Sequence, residues 1–549
     1  MAQTAHVFQR KAGHRVNFHE VGSEPKRRRR TALVEHEHCD VGLTAMKLAV
    51  ELVTGQRTLL TEPFQRFCEF AHQHILPLET EAIIAAARKQ NIPCFQLERF
   101  PLQHKPGAPT RIRNNGLLRL GHGARGRLLE GTFLPWEASE SVKTWLESAE
   151  DRHNLLKSLG VSPVTVPPAE AQEFQLVVVG ERVFAVEVLD GRQVRAVENV
   201  DKTLSELALQ VYREAGNQPV SLVLAGERLD QPFNSGSTEV LDFQLAPDLG
   251  ALFPAANGHD PGMLEELANR LVKDLFPTPD QARIPTVAIT GTNGKTTTSR
   301  MVDHILQYAG LRPGLVCTNG VFIDGKMLMN TDAGTIVGHS QLLVRSDIES
   351  AVLETHHRGI FLRGFAFYKA DVAICLNVTE DHLDRGGIES LDEMVEIKCA
   401  LVKRARHAAI LFADNPGSCG MREHVNAEKL WLVSLKSDLA SLRDLAGNRS
   451  ASFSVLENEK GDEWLVLYDG EQRIPLMKSR DIPATYNGTA RFNVSNAMHA
   501  ASAAFEIGVP VETIRSALAE FHASREQIPG RLNVYDQLPF RVVVDNAHN

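Results

Sequence analysis

A chain of 549 residues exceeds what one hydrophobic core usually supports, and a prior of about 150 residues per domain predicts three or four units. With 43% hydrophobic and 23% charged residues the composition is that of an ordinary globular protein, not a disordered or fibrous one. The net charge of -9 argues against nucleic acid or an anionic membrane as partner, and no apolar stretch reaches the roughly 18 residues of a membrane helix, so a cytoplasmic protein is expected.

The basic run Lys26 to Arg30 reads as a solvated loop. Seven cysteines, Cys39, Cys68, Cys94, Cys317, Cys375, Cys399 and Cys419, never pair as CxxC, which predicts reduced thiols rather than a disulfide framework or zinc site. His36 and His38 beside Cys39 lack the second ligand pair that a structural zinc needs. From residue 1 to about 160, short apolar strands mix with helices, such as Gly42 to Val53, where Leu43, Met46, Leu48, Ala49 and Leu52 recur at helical spacing. A compact α+β unit is expected there.

From Phe174 to Leu189 the pattern changes to dense valine runs, Leu176 to Val179 and Val183 to Val188, separated by Gly180-Glu181, which predicts a hairpin in a second unit beginning near residue 161. Pro277, Pro279 and Pro285 then punctuate the chain. Directly after them come a strand, Thr286 to Thr290, a glycine loop, and a helix from about Lys295 to Ala309 with Met301, Val302, Ile305 and Leu306 as its apolar stripe. Further apolar runs at Ala351 to Leu353, Asp371 to Val378 and Ala408 to Ala413 alternate with helical segments, as a doubly wound, mostly parallel α/β sheet requires.

A strand that ends in glycines and turns into a helix aims backbone N–H groups and the positive helix end at one spot, which suits phosphate. In Gly291-Thr292-Asn293-Gly294-Lys295-Thr296-Thr297, Lys295 would reach the β and γ phosphates of ATP, and the Thr296 hydroxyl would ligate Mg2+. The general phosphate loop has four residues between its glycines; here there are two.

That shorter loop resembles the one in the Mur ligase superfamily, and segments further along strengthen the likeness. Asn377-Val-Thr-Glu-Asp-His-Leu-Asp is similar to the family's metal-proximal signature, Asn493-Val-Ser-Asn-Ala to its adenine-proximal helix start, and Val544-Asp-Asn-Ala-His-Asn to the opening of its third domain. The resemblance implies an ADP-forming ligase, in which a substrate carboxylate takes the γ-phosphate of ATP to form an acyl phosphate and an amine converts this to an amide. It places Glu354 and His382 as Mg2+ ligands and Lys398 as the lysine carbamylated by CO2, a further metal ligand. It makes Lys295, Lys398 and His382 the catalytic set, with Arg531 touching phosphate and Asp545 the ribose.

The flanking regions resemble cyanophycin synthetases, in Cys317-Thr-Asn-Gly-Val-Phe-Ile-Asp-Gly-Lys, Val352-Leu-Glu-Thr-His-His-Arg-Gly-Ile, Phe276-Pro, Cys39-Asp-Val-Gly-Leu and Ile92-Pro-Cys-Phe-Gln-Leu-Glu. The implied division is an N-terminal α+β domain over 1–160, a reduced ATP-grasp-like region over 161–276, a Mur central domain over 277–530, and the start of a third domain over 531–549. The reduced region lacks a glycine-rich phosphate-covering loop, and Asp242 and Gln244 stand where the family has a metal-binding Glu and Asn, so an inactive second centre is expected. His356-His357-Arg358 replaces Ala-Arg-Gly of the relatives beside Glu354, which would alter the acceptor site.

The chain stops at Asn549, where the family's third domain begins, so it reads as a piece of a longer protein or as a relative without the domain that closes over ATP. The implied substrates are an amino acid such as arginine and an aspartyl peptide, in a homo-oligomer. The alternatives are a non-catalytic partner of a full-length synthetase, and a folylpolyglutamate or cell-wall ligase.

Overall fold

The computed structural model describes residues 1–24, 29–37, 39–56, 61–76, 78–97, 117–130, 148–168, 171–189, 193–233, 236–245, 261–380, 388–537 and 539–546. The N-terminal part opens with the helix Ala2–Lys11, the antiparallel pair β1 (His19–Glu24) and β2 (Arg29–Val34), and the helices Cys39–Val53 and Thr61–His72. These bury Ala5, Phe8, Val41, Ala45, Ala49 and Phe67 in one core. Of the stripe predicted on Cys39–Val53, Leu48 and Ala49 are buried but Leu43 is 52% exposed, because only part of that face meets a neighbour.

Next come the helix Leu78–Lys89 and a small sheet of β3 (Cys94–Gln96), β4 (Leu117–Leu120) and β5 (Arg127–Glu130). After the helix Ala149–Ser158, a five-stranded antiparallel sheet is formed by β6 (Gln172–Val179), β7 (Arg182–Leu189), β8 (Gln193–Val197), β9 (Val220–Gly226) and β10 (Thr238–Leu245), in the order β10-β9-β6-β7-β8. The predicted valine hairpin is β6–β7, and its turn residues Gly180 and Glu181 have φ of 53° and 56°, the left-handed values a two-residue hairpin needs. Alternation splits this sheet between two cores. Phe174, Leu176 and Val178 pack with the helix Lys202–Glu214, whereas Val177 and Val179 pack with the helices Leu78–Lys89 and Pro261–Leu275.

The largest element is an eleven-stranded sheet ordered β14-β13-β12-β15-β11-β16-β17-β18-β19-β20-β21. Its strands are β11 (Thr286–Thr290), β12 (Pro313–Cys317), β13 (Gly320–Ile323), β14 (Lys326–Met329), β15 (Ser350–Glu354), β16 (Ala370–Cys375), β17 (Ala405–Phe412), β18 (Lys429–Val433), β19 (Ala451–Glu459), β20 (Asp462–Asp469) and β21 (Gln472–Lys478). Pairing from β12 through β19 is parallel, and antiparallel hairpins finish both edges. Helices cover both faces, which is why the strands read as continuous apolar runs. Val287 and Ile289 share a core with the helices Lys295–Tyr308, Arg491–Glu506 and Val511–Ala519; Ala288 faces the helices Ile336–Leu343 and Leu391–Val402. The doubly wound, mostly parallel arrangement expected from the sequence is therefore present.

The short pair β22 (Asn533–Tyr535) and β23 (Val542–Val544) closes the described chain. No helix among the described residues is long and apolar enough to cross a membrane. The six described cysteines are free, and His38 and the side chain of Cys39 lie outside the described residues.

One buried carboxyl has a measurable consequence for stability. Burial of Asp303 pushes its pKa up to about 7, against the pull of Arg300 and of the Gln307 side-chain hydrogen bond. Between about pH 4 and 7 the unfolded chain has released this proton while the folded chain keeps it, so this group's contribution falls as pH rises through that window. Asp303→Asn removes the penalty and should raise stability at pH 8 by on the order of a few kcal/mol, with little change at pH 4. Urea denaturation at both pH values checks this.

Candidate functional site

Strand β11 leads directly into residues 291–294, and Gly294, at φ +84°, caps the helix that begins at Lys295. A side chain there would adopt a strained left-handed backbone, and its Cβ would stand 2.4 Å from Asn496 Oδ1. Gly294→Ala should therefore cost about 1–3 kcal/mol and loosen the loop; thermal denaturation beside a nucleotide titration reads both effects.

The loop is tied to the exit of the next strand, β16. The Thr292 N–H donates to Asn377 O at 2.9 Å, the Asn293 N–H donates to Asn377 Oδ1 at 2.8 Å, and Asn377 Nδ2 returns a bond to Asn293 O at 3.2 Å. Lys295 Nζ donates to Gly291 O at 2.9 Å and Thr292 O at 2.8 Å, which holds the ammonium in the concavity of its own loop. Lys398, on the helix Leu391–Val402, is only 1% exposed, and its Nζ donates to Thr292 Oγ1 at 2.9 Å. The chain adds β12 and β15 on one side of β11 and β16 and β17 on the other, so the loop opens on a crevice at the carboxyl ends of parallel strands where ligands of such sheets bind.

Glu354 ends β15 beside the loop and is fully buried. Its Oε1 accepts from Thr318 Oγ1 at 2.8 Å and from Thr296 Oγ1 at 3.1 Å, and stands 3.1 Å from His356 Nε2; its Oε2 accepts from the Thr318 N–H at 3.0 Å. Burial opposes its ionisation, but the His356 hydrogen bond and charge, the Lys295 charge and the Thr318 N–H outweigh it and hold the pKa down at about 2. Behind it, His339 donates through Nε2 to Glu354 O at 2.8 Å, and burial lowers that imidazole to about 4.

The open space above these groups is a cleft of about 630 Å³. Gly291 to Thr297, Glu354, Lys398 and Arg531 all line it, so residues predicted from distant parts of the sequence meet at one place. Asn493 is buried instead in a side-chain pair with Asn496 and a 2.7 Å bond to Ala484 O; it is Asn496 that reaches Gly294. Asp545 Oδ2 accepts from the Leu532 N–H at 2.6 Å, next to Arg531. His382 lies outside the described residues.

Three lining residues were not singled out from sequence, Thr318, Asp332 and Met394; Asn546, which stands where the resembled family commonly has tyrosine or glycine, lines the cleft as well. Thr318 was accessible through the Cys317-Thr-Asn-Gly segment, whereas nothing local in the sequence marks Asp332. On β10, Asp242 is engaged by Arg152 of the helix Ala149–Ser158 in a two-point ion pair, at 3.0 Å and 2.7 Å.

Residues 289–504 match the model of the Mur ligase middle domain. The chain is 34% identical over 290 residues to a cyanophycin synthetase of Geminocystis herdmanii, covering 52% of this chain and 32% of that one. It is 28% identical over 416 residues to a cyanophycin synthetase of a Nostoc species, covering 75% of this chain and 44% of that one. A UDP-N-acetylmuramoyl-L-alanyl-D-glutamate–2,6-diaminopimelate ligase of Bacillus velezensis is 28% identical over 291 residues, 51% of this chain and 54% of that one. The chain thus spans between about a third and under a half of the cyanophycin synthetases it matches. A solved UDP-N-acetylmuramoyl-L-alanyl-D-glutamate–2,6-diaminopimelate ligase overlays with a TM-score of 0.36 at 22% identity, covering 48% of this chain and 51% of that one.

Proposed function

From a chain that carries a Mur ligase middle domain, we propose an ATP-dependent ligase that joins an amino acid to a carboxylate-bearing peptide with release of ADP and phosphate. The observation that carries this reading is the Thr296 hydroxyl 3.1 Å from the fully buried, ionised Glu354 at the foot of the glycine loop. Those two oxygens are hard donors of the kind Mg2+ takes, and the fit extends to the open side of the cleft, where phosphate oxygens would complete the shell. Bound there, Mg2+ supplies charge neutralisation on the phosphates.

In this reading the N–H groups of residues 294–296 at the helix start and the Lys295 ammonium bind the β and γ phosphates, the N–H groups of Thr292 and Asn293 being held by Asn377. A carboxylate oxygen of the acceptor attacks the γ phosphorus as the bond to the ADP oxygen breaks. The amine of the incoming amino acid then attacks the acyl carbon, phosphate leaves with the bonding electron pair, and the amine gives up a proton. Arg531, which lines the same cleft, is assigned to hold phosphate charge on the strength of the resemblance. Lys398, reached through Thr292, is assigned as the carbamylated lysine and His382 as a metal ligand, on the strength of the resemblance.

On the strength of the resemblance to cyanophycin synthetases, the acceptor is assigned as an aspartyl peptide and the incoming amine as arginine or another amino acid. For the region 161–276, the pairing of Asp242 with Arg152 supports a unit without a working metal site. A screen of ADP release against amino acids combined with aspartyl peptides tests the proposal. Release that requires both substrates upholds it; tight ATP binding with no release in any combination sinks it in favour of the non-catalytic partner.

A further inference from the structure

Three heteroatoms from different segments crowd around Glu354 Oε1: Thr318 Oγ1 at 2.8 Å, Thr296 Oγ1 at 3.1 Å and His356 Nε2 at 3.1 Å, with Thr318 Oγ1 also 3.2 Å from that nitrogen. The other ring nitrogen, His356 Nδ1, faces Asp332 Oδ2 at 3.7 Å. A carboxylate on one side of an imidazole, here at ion-pair distance, favours a proton on Nδ1, while on the other side Nε2 faces the oxygen cluster; without a cation Nε2 donates to Glu354, and a cation bound there would take the place of that proton.

The ring is also held in place. The His356 N–H donates to Gly334 O at 3.1 Å, and a Cβ on Gly334 would stand 2.7 Å from Nε2, so the Asp332–Gly334 turn packs against the imidazole. Among the described residues no three His, Cys, Asp or Glu side chains form a metal site by themselves, so the cation must be shared with hydroxyl and phosphate oxygens.

We propose that His356 is a nitrogen ligand of the cation bound between Thr296 and Glu354, oriented by Asp332, and that this cleft selects a first-row transition ion over Mg2+. The inference rests on the nucleotide reading above and deepens it. Magnesium gains little from exchanging an oxygen ligand for imidazole, whereas affinity of nitrogen-containing sites rises from Mn2+ to Co2+. His356 stands two residues beyond Glu354, beyond the end of β15, so the same strand that delivers the carboxylate delivers the imidazole.

The test uses the whole chain with β,γ-methylene ATP. Nucleotide binding in Mg2+ is measured first; its absence would overturn the nucleotide reading and this inference with it. With Mn2+, pulsed electron paramagnetic resonance on protein carrying 15N-histidine is expected to show histidine nitrogen coupling that disappears in His356→Ala. The affinity order Co2+ above Mn2+ above Mg2+ should flatten in that variant, with Co2+ weakened about 10–100-fold and Mg2+ little changed. Asp332→Asn, which leaves the imidazole in place, should keep the coupling and lose about tenfold in Co2+ affinity. Coupling that survives His356→Ala, or equal weakening of all three ions, with nucleotide binding intact, overturns the inference alone.

Discussion

Lys295→Ala is expected to abolish detectable ADP release, a loss of at least about 10²–10³-fold in turnover, while the chain stays folded. The ammonium is held in the loop by two carbonyl acceptors, Gly291 O and Thr292 O. Removing it leaves both carbonyls on the open cleft, where water can replace the donor, so the stability cost is about 1 kcal/mol. What cannot be replaced is a fixed positive charge beside transferring phosphate, which stabilises charge in a partly enclosed site more than in water. The measurement is single-turnover ADP formation beside a nucleotide titration. Full turnover by the variant would show that phosphate transfer occurs elsewhere.

Glu354→Gln is expected to be the second most damaging change, and to act on metal and fold together. The carboxylate is fully buried and accepts three or more hydrogen bonds, with its pKa held down at about 2. A depressed folded-state pKa contributes stability that is present above about pH 4.5 and is lost as pH falls through about 2. The substitution removes that contribution, on the order of 3 kcal/mol, at neutral pH. It also removes the anionic oxygen beside Thr296, so divalent-cation affinity in the presence of nucleotide should fall by about 10²-fold or more. Urea denaturation at pH 7 and calorimetric metal titration separate the two losses. Unchanged metal binding would move the cation site away from β15.

The local signals proved sufficient where one element carries the whole message. The run Thr286 to Thr290 is a strand with those bounds, and the stripe Met301, Val302, Ile305 and Leu306 is fully buried on the helix that follows. Both follow from periodicity acting within a few residues. The same logic overreached at Leu43, whose spacing fits an apolar face but whose side chain stays half exposed.

Side-chain partnerships between distant segments were not legible in this way. Asn493 matches a nucleotide-proximal motif, yet its carboxamide is spent on Ala484 and Asn496, and Asn496 is the residue beside Gly294. Asp332 carries no motif, and it becomes interesting only because the turn through Gly334 lays it beside His356.

The sequence by itself determined the alternation of strands and helices, the glycine loop and the helix start that suits phosphate, because each depends on backbone preferences and on the period of apolar residues. Tertiary structure alone decided that Thr296, Thr318, Glu354, His356 and Lys398 share one cleft, where for example Lys398 meets Thr292 across 106 positions of sequence, through parallel pairing of β11, β12, β15 and β16. Strand order in a parallel sheet is set by how crossover helices pack over both faces, a choice no short stretch of sequence encodes.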